Sequence, residues 1–181
     1  MSITLDDRDF SFTYDGSWFH GGQAGFEYDN TTTGTNTAGS MALFNFSGWC
    51  QSSCVSVFGT VGPIVYQGND VGASISSYQV DDQPAVTFTA PAQGGTLFHY
   101  NFFTSPTLGN GPHQLKITNL NQSSYLWLDY VQYTPLSGKI FHITKSTIYN
   151  LMMTWSAAST RVRLTCAYLT NFYYHYHSET Y

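Results

Sequence analysis

A chain of 181 residues with a formal charge of −5, 9% charged and 17% aromatic residues has room for one well-buried domain. Its few Glu, Lys and Arg exclude a coiled coil or a helical bundle, and no apolar run reaches the roughly eighteen residues of a membrane span. Ten acids and two bases give residues 1–135 a charge of −8, against +3 for residues 136–181, which excludes binding along a phosphate backbone.

Aromatic and β-branched side chains suit a pleated, half-buried surface, and short runs of them recur between Gly, Pro, Asn and Ser punctuation. Phe10–Tyr14 alternates and stops at Asp15-Gly16. The stretch from Gly21 to Gly39, rich in Gly, Thr and Asn, reads as a surface loop with little regular structure. Ala42, Phe44 and Phe46 then share one face of a strand over 42–46. Val55–Phe58 ends at Gly59, and Ser77–Val80 turns through Asp81-Asp82 into Ala85–Thr89. Leu97–Phe103 closes at Ser105-Pro106. Gln114–Thr118 follows the turn Gly109-Asn110-Gly111-Pro112, and Tyr125–Tyr133 runs to Pro135. Eight strands without an amphipathic helix among them predict an all-β antiparallel sandwich or jelly roll over residues 1–135. Phe44 and Trp127 are expected in its core. Residues 136–181 read as an atypical appendage, with a helix over 148–158 and a Tyr-rich run over 166–176, or else as extra edge strands.

An ordered set of motifs in residues 5–135 carries a resemblance. It comprises Asp6-Asp-Arg-Asp9, Phe12–Phe19, Thr35–Gly39, Val57–Gly62, Phe103–Leu108, Gly111–Leu115 and Leu126–Tyr133. Together they resemble a family of basidiomycete fungal surface proteins with a galactose-binding-domain-like β-sandwich ectodomain. The resemblance implies a fold and a cell-surface location more than an activity. Phe10 replaces a Pro common in that family, Cys50–Cys54 interrupts a region usually continuous, and the tail replaces a stalk and membrane helix. The resemblance also implies a structural Ca²⁺ where the N-terminal segment meets the last strand, with Asp6, Asp7 and Asp9 meeting Asp129. The alternative is that Asp7 and Asp9 cap turns while Asp129 takes backbone amides or pairs with Arg8.

Catalysis finds little support, because the only Glu residues are Glu27 and Glu179 and no Gly-x-Ser-x-Gly elbow is present. Sugar rings offer apolar C–H faces, so glycan sites combine exposed aromatics with hydrogen-bonding side chains. Candidates on loops and strand ends are Trp18, His20 and Tyr28, then Tyr66 with Asn69 and Asp70, and His99 with Asn101. For Trp18 a core position is the competing reading. Sequons at Asn30, Asn45 and Asn121 point to secretion as a glycoprotein, although residues 1–7 lack the pattern of a secretory leader. Cys50 and Cys54 are spaced for a structural disulfide rather than a redox pair, and Cys166 is left over. The expected function is a non-catalytic extracellular module that binds carbohydrate or cell-wall polysaccharide. The alternatives are a structural surface module and, behind it, a hydrolase.

Overall fold

The computed structural model describes residues 2–48, 55–66 and 68–135, which fall in a compact unit spanning residues 1–138. The readings made for Cys50, Cys54, Cys166 and residues 136–181 lie outside the described residues. Among the described residues thirteen strands run in chain order: β1 (Ile3–Asp6), β2 (Phe12–Asp15), β3 (Phe19–Gly21), β4 (Thr32–Thr35), β5 (Met41–Gly48), β6 (Val55–Val61), β7 (Val65–Tyr66), β8 (Asn69–Asp70), β9 (Ile75–Val80), β10 (Val86–Thr89), β11 (Leu97–Thr104), β12 (Gly111–Asn119) and β13 (Leu126–Tyr133). All eight expected strands are present.

Two antiparallel sheets form the sandwich. The first is ordered β11-β6-β13-β4-β3, with β1 also paired to β13, and the second is ordered β10-β9-β12-β5-β2. Alternation explains the core. Ala42, Phe44 and Phe46 of β5 point inward beside Leu115 and Ile117 of β12, and Val55, Val57, Leu126, Leu128 and Val131 answer from the first sheet. Tyr78 stacks on Phe103 at 5.2 Å and satisfies its buried hydroxyl on Ser76 at 2.9 Å.

The expected loop over 21–39 is corrected by the structure. Thr32–Thr35 is a wholly buried strand inside the first sheet, paired to β13 through Thr33↔Leu128, Gly34↔Trp127 and Thr35↔Leu126. A strand of Thr and Gly carries no hydrophobic signature. It tolerates burial because Thr33 donates its hydroxyl to the buried carboxylate of Asp7, while Thr35 accepts from Thr37 N at 3.2 Å.

Both β1 and β4 pair with the same edge of β13. Strand β1 takes Tyr130–Tyr133 and β4 takes Leu126–Leu128, so Asp129 falls in the break between them. A bulge against β6 at the same place, between Leu128↔Gly59 and Tyr130↔Phe58, leaves Leu128 and Asp129 both buried. Gly59 is required there, since a Cβ on it would lie 2.0 Å from the Trp127 carbonyl oxygen.

Candidate functional site

Trp127 is the one core assignment that the structure overturns. Its neighbours Leu126 and Leu128 point inward, so period-two alternation turns Trp127 to the outer face of the first sheet, where it is half-buried. Glycines make its seat: a Cβ on Gly34 would stand 2.4 Å from Trp127 Cε3, and one on Gly21 would stand 2.9 Å from its Cζ3. The indole lies stacked with Tyr125 at 5.8 Å and meets Phe19 edge-on at 5.1 Å.

These three rings floor a cleft of about 490 Å³, within the ~300–1,000 Å³ range of small-molecule sites. Its walls are Gly62–Ile64 and Val71–Ser74, the two stems of the segment that carries the β7–β8 hairpin, together with Ala90, Pro91 and Thr96. Backbone bonds hold these walls in place: Ile64 N to Gln93 O at 3.1 Å, Val71 N to Ile64 O at 2.8 Å, and Ala90 N to Ser74 O at 2.8 Å. Side chains add Gln93 Nε2 to Val61 O at 3.2 Å and Asn121 Nδ2 to Ala73 O at 2.8 Å. Gln23 and Thr60 line one side, and Thr60 donates to Glu27 Oε1 at 2.8 Å. Ser74, on the opposite wall, has its Oγ buried without a hydrogen-bond partner.

Next to this cleft lies an acidic cluster. Asp7 and Asp129 are both fully buried and are joined through the bond from Asp7 N to Asp129 O at 2.9 Å. Thr31 donates to Asp6 Oδ1 at 2.7 Å and to Asp7 Oδ1 at 3.0 Å, while Tyr28 N donates to Asp129 Oδ1 at 2.8 Å. Asp129 Oδ2 has no aligned donor, although His99 Nδ1 stands 3.1 Å away. Desolvation pushes Asp7 up to about 6, against the opposing pull of the Thr33 hydroxyl. It pushes Asp129 up to about 7, with Glu27 and Asp7 adding repulsion. Glu27 accepts from Thr60 and, through its other oxygen, from Gln23 N, so this carboxylate ties the cluster to the cleft wall.

A hard cation suits these oxygen donors, and the orphaned, buried Asp129 Oδ2 is an observation in its favour. Among the described residues, however, no three His, Cys, Asp or Glu side chains converge as a ready-made metal cage. Asp9 stands apart from the expected set: its Oδ1 caps a turn by accepting from Ser11 N at 2.8 Å. Glu27 is the member that the motif reading missed.

The expected glycan residues scatter. Trp18 is partly buried against the core, its Nε1 donating to Asp15 O at 3.0 Å and its ring 4.9 Å from Tyr14, so the competing core reading holds. His20 is exposed on β3 with Nδ1 3.1 Å from Thr33 Oγ1. The Thr33 proton is committed to Asp7, so His20 Nδ1 must be the donor. Tyr28 is exposed and packs 5.4 Å from Tyr130 next to the acidic cluster, and His99, whose φ of +53° is rare for a non-glycine residue, stands 5.7 Å from the same ring. Tyr66 and Asn69 pair across the β7–β8 hairpin, on the segment whose stems wall the cleft, and Asp70 caps its end by accepting from Gly72 N at 2.9 Å. Asn101 bonds within its own strand, to Phe103 O at 3.3 Å. Of the sequons, Asn30 and Asn45 are exposed, whereas the amide nitrogen of Asn121 is engaged by Ala73 O.

No family model matches the sequence, and no curated protein matches it. Solved structures do match. The family 35 carbohydrate-binding module from Clostridium thermocellum superposes with a TM-score of 0.51 at 14% identity, over 73% of this chain and 98% of that one. The CBM36-1 domain of a multidomain xylanase from the hindgut metagenome of Trinervitermes trinervoides gives 0.50 at 8% identity, over 76% of this chain and 100% of that one. The described residues have the β-sandwich of these modules. The exo-β-1,3-galactanase chain from Phanerochaete chrysosporium, solved with galactose, also matches at 0.50 and 16% identity, over 73% of this chain. The chain spans about a third of the length of the enzyme chains it matches. At these identities the likeness establishes the sandwich fold.

Proposed function

We propose that the sandwich is a non-catalytic carbohydrate-binding module whose site is the cleft floored by Trp127, Tyr125 and Phe19. The observation that carries this reading is the aromatic floor itself, an indole seated on glycines and stacked with Tyr125. Flat indole and phenol faces suit the C–H face of a pyranose, and walls already held by hydrogen bonds lower the ordering cost of binding. The carbohydrate-binding modules that share the fold support the reading. Cell-wall polysaccharide is the ligand class that fits an extracellular module of the basidiomycete surface-protein kind. The cluster of Asp6, Asp7, Asp129 and Glu27 would hold a structural Ca²⁺, adding positive charge to that of Arg8, whose Nε stands 3.9 Å from Asp7 Oδ2.

The test is an insoluble-polysaccharide pull-down and a glycan array with the whole chain, beside Trp127→Ala and Tyr125→Ala. Binding that drops at least tenfold in Trp127→Ala, with the thermal transition retained, supports the module reading. Absence of binding by the folded chain to every polysaccharide moves the assignment to a structural surface module.

A further inference from the structure

Among the described residues, the lining of the cleft contains no Asp, Glu, His, Lys or Arg: its side-chain polar groups include those of Gln23, Thr60, Ser74, Thr96 and the Tyr125 hydroxyl. The nearest charge behind it is negative, because Thr60 and Gln23 N both turn their protons toward Glu27. With its proton committed there, Thr60 offers the cleft only acceptor lone pairs. The surrounding field has the same sign, since residues 1–135 carry −8.

From these observations we infer that the cleft selects neutral, hydroxyl-rich glycans and discriminates against sugars bearing carboxylate, sulfate or phosphate. This rests on the proposed carbohydrate-binding reading of the same site. A uronate carboxylate entering the cleft would shed water without meeting a cation, and a buried unpaired charge is among the costliest groups to leave unmatched. A sugar hydroxyl both donates and accepts. It can give its proton to the Thr60 oxygen and take one from the Gln23 side-chain amide, both in the lining.

The experiment measures affinity by calorimetry at low and at physiological salt, using the full chain and length-matched neutral and uronic oligosaccharides. Neutral oligosaccharides are expected to bind at least tenfold more tightly than the uronic ones, and the gap should narrow with salt as the field is screened. A second variant keeps the result interpretable: Gly94→Lys, at an exposed position next to the rim, with open space for a side chain and outside the lining itself, should raise uronide affinity at least threefold and change the neutral ligand by less than twofold. Uronides that bind through Trp127 as tightly as neutral chains would overturn this selectivity while leaving the carbohydrate-binding reading intact. Loss of all glycan binding in the wild-type chain would instead remove the reading on which it rests.

Discussion

Trp127 sits where the alternation of its own strand meets glycines from two others. The run Leu126-Trp127-Leu128 announces its own alternation, and two leucines inward require the indole outward. What the run cannot show is the seat, made by Gly34 and Gly21 from strands that lie far away along the chain. That dependence is testable. Gly34→Ala places a methyl where Trp127 Cε3 lies, and should cost about 1–3 kcal/mol in a denaturant titration. It should also weaken glycan binding at least tenfold by lifting the ring. A Gly34→Ala protein with wild-type affinity would show that the indole does not form the floor. Asn121 is a second case, because the sequon reads as a glycan anchor while the structure spends its amide nitrogen on the cleft wall. In a glycosylating host, peptide mass spectrometry should find sugar at Asn30 and leave Asn121 unmodified. High occupancy at Asn121 in folded protein would mean that its bond to Ala73 is dispensable.

The strands that were legible are those whose hydrophobic residues alternate, such as β5 and β12. Strand β4 was not, because Thr32–Thr35 is buried by hydroxyl bonds to partners elsewhere and not by apolar area. Likewise Asp6-Asp-Arg-Asp9 announced an acidic corner, but the choice of Asp7 over Asp9, and the arrival of Glu27, depend on where β1, β4 and β13 meet. The break in that edge has a consequence with pH. Desolvation raises Asp7 to about 6 and Asp129 to about 7, so the folded chain holds these protons more tightly than the unfolded one, whose aspartates titrate near pH ~4. The stabilisation is therefore complete below about pH 4 and is lost as pH rises through 6 and 7. In EDTA the transition temperature should fall between pH 5 and pH 8, by the equivalent of about 1–3 kcal/mol, and Asp129→Asn should flatten the fall. Ca²⁺ should recover stability at pH 8 and much less at pH 5, where the cluster holds protons. A profile that does not change with pH or Ca²⁺ would mean that the two buried carboxylates are fully compensated by their hydrogen bonds.

At the scale of the molecule, the paired sheets, the aromatic cleft on one outer face and the acidic corner next to it are three parts of one arrangement. Composition foretold the sandwich, since a chain so poor in charge and rich in aromatics has few other ways to bury itself. It could not foretell which outer face carries the exposed rings, because that depends on strand order. The same strand order has a cost in time. Among the described strands, β1 pairs only with β13, and β4, already paired to β3, joins the sheet through that same strand. During synthesis the acidic N-terminal segment must therefore stay unpaired until nearly the whole domain has been made, and closing so long a loop is slow. Folding should be limited by the arrival of a single late strand. A nascent chain stalled before Leu126 would have the second sheet's strands but the first sheet only as the separate pairs β11-β6 and β4-β3, and would depend on chaperones until release.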